Sequence, residues 1–458
     1  MMNMGRGDRH ESEERRVKRQ RGSSPILGER GDFGRRDCYD EILEGHVNGT
    51  VQNSWLNGIR PIFSTDEDRD LPMEGANLSA DIRSLSQQLL QVKHRLWPTA
   101  EQCARLSRRH TSAHKEFVEA RRSCNPMEPL GEGQAQGLNQ MFMNRSAIKL
   151  ANVDAMLDFK LTRNSNNVEP LLFVDLCGAP GGFSEYLMRR SQTSQVVGSC
   201  WGFGMSLNGV NEHGRGTPWK LSHISLWNGS FQTNYKVCTG FDGTGDIYKW
   251  ENIQSLRHDI QNELANARIT PINTVHLVVA DGGFDAQRDS EYQEELAQKL
   301  VLCEMVAAVS ILRVDGTFVV KMFGFQTSTI RTAMQSLFDM FRELRVLKPI
   351  SSRPASSERY VVFSRFRGLP SDWDGESWLN HVLLGRATKH PAPFYSRLGT
   401  YLDRVDMDML TLNLKACFAI LSALERKAAV LQTGRFWKEK RPSIKINAYK
   451  IAWRLLNM

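Results

Sequence analysis

The sequence predicts an α/β protein built on a doubly wound, mostly parallel sheet, and three stretches carry that prediction. Each is a near-continuous apolar run, as buried parallel strands are: "LLFVDLC" (171–177), "TVHLVVAD" (274–281) and "GTFVVKMF" (316–323). Helical patterns alternate with these runs, which is the order expected when helices cover the faces of one sheet. We therefore expect one α/β domain over residues 131–367.

Two further elements complete this domain. In "SEYQEELAQKLVLCEMVAAVSILR", Leu296, Leu300, Cys303 and Ala307 recur on one face, so a helix that packs on the sheet should connect the second and third runs. A last strand is predicted for "RYVVFSRF" (359–366).

The N-terminal residues 1–75 are rich in Gly, Arg, Asp, Glu and Ser and show no sustained periodicity, which predicts a disordered tail. Within it, "RRVKRQR" (Arg15 to Arg21) is a basic cluster typical of nuclear import, and it leads us to expect a nuclear protein. The alternative is a solvated run of charge.

Residues 76–130 are predicted to be a helical lead-in that binds RNA. Apolar residues at steps of three and four mark a first helix, and Thr99 with Gln102 fits a capping box for a second helix after Pro98. The second helix is either a solvated surface or an arm that contacts phosphates. Its basic residues are Arg105, Arg108, Arg109, Lys115, Arg121 and Arg122.

Residues 368–458 form a predicted helical C-terminal extension of unknown role, since its helical patterns, basic residues and aromatic residues suggest no chemistry.

Composition bounds the functional classes. The formal net charge of +8 favours a polyanionic partner, although charge alone argues only for non-specific attraction. The eight cysteines are scattered without metal-ligand spacing, so we expect reduced thiols and no metal site. We see no apolar stretch of the ~18 residues that span a bilayer, and therefore expect no membrane partner.

A glycine turn follows the first apolar run, in "FVDLCGAPGGFSEYLMRR" (173–190). Its spacing is neither the G-x-G-x-x-G of dinucleotide binding nor a P-loop, because no Gly-Lys-Ser/Thr follows. A turn between a buried strand and a helix lets a ligand approach the backbone, and one without a phosphate-binding lysine suits S-adenosyl-L-methionine. A purely structural turn is equally compatible with the glycines alone.

Four charged residues are predicted to surround that turn: Lys149, Asp281, Lys321 and Glu358. Asp281 and Lys321 close apolar strands, Glu358 directly precedes the last strand, and Lys149 lies before the first. Each alone could be a solvated strand end or helix residue. Because the carboxyl ends of parallel strands meet at one edge of a sheet, the four together suggest a Lys-Asp-Lys-Glu tetrad beside the turn.

With these motifs in the observed order, the chain resembles the FtsJ-like 2′-O-ribose methyltransferases. Within that family it is most similar to the branch that methylates the first transcribed nucleotide of capped mRNA, chiefly through "SRPASSERY". The matching stretches are "FMNRSAIKLANVD", "FVDLCGAPGGFSEYLMRR", "GFGMSLNG", "DGTGDI", "VVADGGF", "VVKMF" and "LKPISSRPASSERYVV".

The resemblance implies a Rossmann-like, S-adenosylmethionine-dependent methyltransferase sheet and a role for individual residues. Lys149, Asp281, Lys321 and Glu358 match the catalytic tetrad. The residues that match cofactor contacts are Asn144, Cys177, Gly178, Ala179, Pro180, Gly181, Gly182, Phe183, Asp246 and Ile247. The residues that match RNA contacts are Arg121, Glu291, Tyr292, Gln293 and Ser356, of which Ser356 replaces the family's usual Asn.

The implied partner is the 5′ end of capped mRNA. RNA polymerase II or the capping machinery would be a further partner that no residue here specifies. Larger animal members of the family carry a G-patch, a guanylyltransferase-like domain and a WW module, and we expect this chain to lack them.

The reaction implied is attack of a ribose 2′-oxygen on the sulfonium methyl, which produces cap1. Lys321 is expected either to act as the base or to steer the hydroxyl and stabilise the developing alkoxide. A second cation and burial would lower a lysine pKa, whereas Asp281 and Glu358 would raise it, and the sequence leaves the balance open. Two other functions stay open: 2′-O methylation of ribosomal or transfer RNA, and a catalytically silent RNA-binding module.

Overall fold

The computed structural model describes residues 63–64, 78–108, 110–125, 127, 141–162, 170–193, 200–211, 214–227, 230–231, 234–269, 274–283, 293–383, 396–437 and 453–455. Within these ranges the helices are α1 (Leu78–Leu106), α2 (Ala113–Cys124), α3 (Arg145–Met156), α4 (Gly182–Thr193), α5 (Leu221–Ser225), α6 (Trp250–Asn266), α7 (Gln293–Ile311), α8 (Ser328–Met340), α9 (Gly375–Leu383) and α10 (Ser396–Gln432). The strands are β1 (Phe63–Ser64), β2 (Leu171–Leu176), β3 (Cys200–Met205), β4 (Val210–Asn211), β5 (Gly214–Arg215), β6 (Leu226–Trp227), β7 (Ser230–Phe231), β8 (Tyr235–Cys238), β9 (Val275–Ala280), β10 (Leu312–Met322), β11 (Phe341–Leu347) and β12 (Arg359–Phe366).

The central sheet has the strand order β1-β11-β12-β10-β9-β2-β3-β8 among the described residues. The strands from β10 to β8 are parallel to one another, whereas β12, β11 and β1 pair antiparallel. The predicted α/β class is therefore confirmed. Phe63 and Ser64, which form β1, belong to the segment predicted to be a tail; the rest of residues 1–75 lies outside the described residues.

The order of the strands creates a switch point between β2 and β9. From β2 the chain adds β3 and then β8 on one side, and it then crosses back to add β9 and β10 on the other. In open α/β sheets, ligands bind beside the carboxyl ends of the strands at such a point. The glycine turn follows β2 and Asp281 follows β9, so this edge holds the predicted site.

Helices cover both faces of the sheet, as the buried runs require. On one face, α3 and α4 pack through residues such as Leu150 and Leu187, and on the other α6, α7 and α8 pack through residues such as Leu256, Val306 and Phe338. All six residues of β2 are buried, because helices lie on both sides of it.

A third core joins the two ends of the chain. Helices α1, α2 and α10, which we call the helical layer, bury Leu89 and Ala120 against Leu421 and Leu424. The thiol of Cys103 on α1 donates a hydrogen bond to the carbonyl of Leu424 at 3.2 Å. The helical lead-in and the C-terminal extension therefore form one packed unit.

The predicted break at Pro98 is wrong, because α1 runs through it from Leu78 to Leu106. The hydroxyl of Thr99 donates to the carbonyl of Arg95 at 2.7 Å, so Thr99 does not cap a new helix. The next helix, α2, is instead capped by Ser112, whose side chain accepts from the amide of Lys115. Burial of one continuous apolar face along α1 outweighs the cost of an internal proline.

Helix α10 contradicts our expectation that no stretch would reach membrane-spanning length. Its residues Leu398–Gln432 meet that criterion by length and composition, and 56% of the apolar window is buried. Leu402 and Val405 pack on the sheet-side core, and Leu421 and Leu424 pack within the helical layer. A core helix that serves two cores has the same apolar composition as a membrane-spanning helix.

Candidate active site

The carboxyl edge of the sheet brings the loops after several strands together. The amide of Cys177, after β2, donates to the carbonyl of Met205 on β3 at 2.7 Å. The amide of Asn208, after β3, donates to the carbonyl of Thr244 in the loop after β8, also at 2.7 Å. The loops after β2, β3 and β8 are therefore contiguous beside the switch point.

Lys321 and Asp281 form the first pair at this edge. Their Nζ and Oδ1 atoms lie 3.1 Å apart, and Lys321 Nζ also donates to the backbone carbonyl of Asp281 at 2.9 Å. The parallel register of β9 and β10 sets this contact, because it pairs Val320 with Ala280 and so brings the next residues together. Both side chains are about nine-tenths buried.

Lys149 and Glu358 form the second pair. Lys149 Nζ donates to Glu358 Oε2 at 2.7 Å, which joins α3 to the residue before β12. The hydroxyl of Ser352 donates to the other oxygen, Oε1, at 2.6 Å. Both carboxylate oxygens of Glu358 are thus held by side chains.

Two hydroxyl groups anchor Asp281 to the elements that carry the second pair. Ser146 Oγ, on α3, donates to Asp281 Oδ2 at 2.8 Å, and the Tyr360 hydroxyl, on β12, donates to Oδ1 at 3.0 Å. Lys149 lies on α3, and Glu358 directly precedes β12. The structure therefore brings all four predicted tetrad residues together as two hydrogen-bonded pairs, and Glu358 of one pair interacts electrostatically with Lys321 of the other.

Asp281 and Glu358 determine the protonation state of Lys321. Burial lowers the pKa of its ammonium, but Asp281 and Glu358 raise it by more, so the pKa lies above the ordinary lysine value. Burial raises the pKa of Glu358, but the surrounding lysines outweigh it and hold the pKa well below the usual range. The cluster is a charged network, with Lys321 as ammonium and Glu358 as carboxylate at neutral pH.

The glycine turn divides into a partly exposed and a buried half. Cys177, Gly178, Ala179 and Pro180 are half-buried, whereas residues 181–183 are buried. The four half-buried residues can therefore touch a ligand, whereas the buried residues 181–183 pack behind them and support the turn.

Gly181 is required by the turn itself. Its φ is 107°, and an added Cβ would lie 2.4 Å from Ile224 Cδ1. An added Cβ on Gly182 would lie 2.1 Å from Asn144 Oδ1. A larger residue at Gly181 would therefore disturb the turn, so it would not be a selective test of ligand binding.

Asn144, predicted to contact a cofactor, caps α3. Its Oδ1 accepts from the amides of Ser146 and Ala147 at 3.0 and 3.4 Å. The cap fixes the start of the helix that carries Lys149, so Asn144 joins the glycine turn to the tetrad.

Asp246 and Ile247 lie in the loop after β8 and are both buried. Asp246 Oδ1 accepts from the amide of Tyr248 at 3.0 Å. The preceding residue, Gly245, packs so closely on the carbonyl of Ser206 that an added Cβ would lie 2.0 Å from it. This packing brings the Asp246 loop to the end of β3, where the sequence has no acid of its own.

The FtsJ-like methyltransferase family model matches residues 142–366, which include the tetrad, the glycine turn and the sheet from β2 to β12. The chain carries an FtsJ-like methyltransferase domain. The resemblance predicted from the motifs is thereby confirmed for residues 142–366.

Relatives in several animals are similar to this domain. The chain is 34% identical over 258 residues to proteins named cap-specific mRNA (nucleoside-2′-O-)-methyltransferase 1 from Mus musculus and Homo sapiens. It is 34% identical over 252 residues to the protein of that name from Drosophila melanogaster. These matches cover 53–54% of this chain but only 28% of each relative.

The residues of this FtsJ-like domain fit S-adenosylmethionine, the cofactor that its family implies. A half-buried backbone turn without lysine or arginine lies at the switch point, as a cofactor without phosphate requires. Acidic groups, among them Asp281 beside the turn and Asp246 in the neighbouring loop, suit a ligand that carries positive charge. Asp175 supports the turn by accepting from the amide and the hydroxyl of Ser184 at 3.1 and 2.7 Å.

The predicted RNA contacts fall into three groups. Of these, Gln293 lines a cavity of about 280 Å³, which is also lined by Ser357, not predicted as a contact, and by Phe323, two residues after Lys321. Ser356, next to Ser357, is half-buried and accepts from the amide of Glu358 through its Oγ at 3.2 Å.

Arg121 lies away from the sheet, on α2 in the helical layer, with its guanidinium over the Phe117 ring at 5.9 Å. Glu291 and Tyr292 lie outside the described residues, as does Arg109 of the predicted basic helix.

Sequence reasoning missed several residues that hold this site. Glu304, inside the apolar helix α7, is fully buried and accepts from the amide of Gly282 at 3.2 Å; burial raises its pKa to about 8. Lys348, between β11 and Pro349, is also fully buried. A single charge within or directly after an apolar run was the available signal in both cases.

Proposed function

We propose that this protein methylates the ribose 2′-oxygen of the first transcribed nucleotide of capped mRNA, with S-adenosylmethionine as methyl donor. The observation that carries the proposal is the pair of adjoining ion pairs, Lys149–Glu358 and Lys321–Asp281, at the switch point of an FtsJ-like domain. The named specificity of the relatives favours capped mRNA over ribosomal or transfer RNA.

Cys177 to Pro180 and the Asp246 loop would hold the cofactor, because both line the same edge of the sheet. When bound, S-adenosylmethionine supplies a methyl group that its sulfonium has already activated. The protein's part is therefore to place the 2′-hydroxyl and to manage the charge that develops on it.

Lys321 is the group best placed to manage that charge. Its raised pKa keeps it an ammonium at neutral pH, so it would donate to the 2′-oxygen and stabilise the alkoxide character that develops as the oxygen bonds to the methyl group and the hydroxyl proton passes to water. A base role would require Lys321 to lose its own proton first, which Asp281 and Glu358 oppose. Steering and electrostatic stabilisation are thus the roles we assign to it.

The remaining tetrad residues keep Lys321 in place. Asp281 contacts it through both its side chain and its backbone carbonyl. Lys149 and Glu358 form the adjoining pair, and Glu358 adds to the field that keeps Lys321 charged. Preorganised charge of this kind needs no rearrangement during the reaction.

The RNA would approach through the cavity lined by Gln293, Phe323 and Ser357, since Phe323 lies next to the end of β10 that carries Lys321. The exposed basic residues of the helical layer, Arg108 and Lys115, would contact phosphates farther along the strand. The basic cluster "RRVKRQR" further leads us to propose a nuclear location. Imaging of the tagged protein in cells tests this location.

The deciding experiment is methyl transfer from labelled S-adenosylmethionine to RNAs that differ only in the presence of a 5′ cap, followed by mapping of the methyl group. We expect the label on the 2′-oxygen of the first nucleotide of capped RNA alone. Label on internal positions of uncapped RNA would support ribosomal or transfer RNA instead. RNA binding without transfer would support a silent binding module.

A further inference from the structure

Lys348 is a fully buried lysine that the proposed chemistry does not use. Its Nζ makes three hydrogen bonds, to Ser352 Oγ at 2.9 Å, to the carbonyl of Ser356 at 2.9 Å and to the carbonyl of Glu358 at 2.6 Å. All three acceptors lie in one segment, residues 349–358, which ends in the catalytic glutamate. A buried ammonium is costly unless its donors are satisfied, and here each N–H has an acceptor.

Ser352 connects this lysine to the Glu358 carboxylate. Its hydroxyl has one hydrogen, which it donates to Glu358 Oε1 at 2.6 Å, so its oxygen can only accept from Lys348. The two backbone carbonyls also can only accept. The three bonds therefore require Lys348 to be an ammonium, and they link it through one hydroxyl to the catalytic carboxylate.

The helix that carries Lys149 holds the same segment from its other side. Arg145 donates to the carbonyl of Ser351 at 2.7 Å, and Asn152 Oδ1 accepts from the amide and the hydroxyl of Ser351, both at 3.2 Å. The segment is thus fixed between α3 and Lys348. The geometry of the Lys149–Glu358 pair depends on both attachments.

We propose that Lys348 is a positioning residue for methyl transfer, whose ammonium holds residues 349–358 so that Glu358 faces Lys149 and Ser357 lines the RNA cavity. This inference rests on the proposed function and deepens it. Lys348 acts through Glu358 and touches no reacting atom. A single buried cation would thereby set both a catalytic carboxylate and a substrate contact.

The charges around Lys348 make this positioning sensitive to pH. Burial, together with Arg359, Lys149 and Arg145, lowers the pKa of Lys348 to about 7 against the raising effect of Glu358. When the Lys348 ammonium loses a proton, the neutral amine has only two N–H groups for its three hydrogen-bond acceptors. The advantage of wild type over a variant without the amine should therefore be largest below pH 7 and should shrink as the pH rises through about 7.

A double-mutant cycle separates positioning from general stabilisation. Lys348→Met keeps the length and apolar character of the stem, and we expect it to lower kcat on capped RNA by at least ~10-fold. In a Glu358→Gln background the same change should lower kcat by less than about 2-fold, because the residue through which it acts is already lost. Lys415→Met, at an exposed lysine of α10, is the matched control and should leave kcat unchanged.

An equal fold-loss in both backgrounds or an unchanged kcat for Lys348→Met would overturn the proposal. If Lys348→Met does not fold, Ser352→Ala takes its place in the cycle, since it removes the hydroxyl that joins Lys348 to Glu358. The same non-additivity is then expected.

Hydrogen–deuterium exchange gives a readout that needs no activity. We expect Lys348→Met, or Ser352→Ala in its place, to speed exchange over residues 349–358, including the Glu358 amide that donates to Ser356 Oγ, while Lys415→Met does not. Wild-type protein that fails to methylate capped RNA would overturn the proposed function, and the exchange result would then decide the positioning role alone. Unchanged hydrogen–deuterium exchange over residues 349–358 would overturn the positioning role of Lys348.

Discussion

At the carboxyl edge of the sheet, Lys321 and Lys348 are buried and Lys149 is half-buried, and each of these side chains is hydrogen-bonded to an acid or to backbone carbonyls. In the helical layer, by contrast, Arg108 and Lys115 are exposed. Buried charges are costly and require fixed partners, whereas exposed charges cost little and contribute mainly through long-range attraction. The proposed function thus gives the same residue types a role in chemistry in one region and in attraction of RNA in the other.

This comparison predicts large, position-specific losses at the edge of the sheet. Lys321→Met should lower single-turnover methyl transfer to capped RNA by at least ~10²-fold, because it removes the ammonium that stabilises the 2′-oxygen. Methionine preserves the apolar stem, so cofactor affinity should change little, but Asp281 loses its buried ammonium partner and thermal stability should fall. Single-turnover kinetics at saturating cofactor measure the effect.

Lys415→Met in the helical layer is the control for that experiment and should retain the wild-type rate, since Lys415 is exposed on α10. If Lys321→Met kept more than about a third of the wild-type rate, the tetrad would not govern the reaction.

The contact between the two regions should determine stability. Arg359 begins β12, directly after Glu358, and forms an almost fully buried ion pair with Asp406 of α10. Asp406 also accepts from the amide of Phe325, and Arg359 donates to the carbonyl of Phe323. Asp406→Ala would leave the guanidinium buried without its carboxylate, so the free energy of unfolding should fall by about 3–5 kcal/mol.

Chemical denaturation measures that loss. Asp403→Ala is the matched comparison, because Asp403 lies on α10 with Asp406 and pairs with Arg331 of α8, but this pair is more exposed. It should cost about 1 kcal/mol or less. Equal losses for the two variants would contradict the view that burial makes the Arg359–Asp406 contact decisive.

Tyrosine hydroxyls allow the same chemical change in both regions. Tyr360→Phe removes the hydrogen bond to Asp281 but keeps the ring, which packs beside Phe183. We expect methyl transfer to fall about 10-fold, since a lost hydrogen bond to a charged group is worth ~1.5–3 kcal/mol. Tyr401→Phe instead removes a hydrogen bond from the amide of Val346, and it should change stability but not the rate. A similar rate loss for Tyr360→Phe and Tyr401→Phe would mean that removal of a tyrosine hydroxyl lowers the rate by destabilising the fold.

Much of this architecture could be predicted because the buried strands leave a strong apolar signal. β12 was predicted at its observed residues, and the strand ends correctly placed Asp281 and Lys321 at one edge. That juxtaposition follows from parallel topology alone, without side-chain detail.

Long-range packing explains what could not be predicted. Pro98 reads locally as a helix break, but the apolar face of α1 continues on both sides of it and packs against α10, more than 300 residues later. Lys348 and Glu304 each gain their roles from acceptors or donors that only the folded chain brings near. Local propensity contains no information on those partners.

The smallest predicted effect concerns RNA attraction by the helical layer. Arg108 and Lys115 line a cavity of about 190 Å³ with Arg435, Phe436 and Trp437, and the guanidinium of Arg108 lies 5.9 Å from the Phe436 ring centroid. Phe436 is 78% exposed, which suits stacking with an unpaired base.

Arg108→Ala and Lys115→Ala should each reduce the slope of log affinity against log salt by up to ~0.7 for single-stranded RNA, the value for one lost phosphate contact. Arg121 is half-buried against Phe117, so its truncation would mix packing with charge, and it is the weaker probe. Arg257→Ala, at an exposed arginine of α6, controls for net charge. Binding titrations from low to physiological salt give the slopes, and kcat at saturating RNA should stay unchanged in all three variants. If Arg257→Ala altered the slope as much as Arg108→Ala, attraction would come from overall charge and the helical layer would have no special part in it.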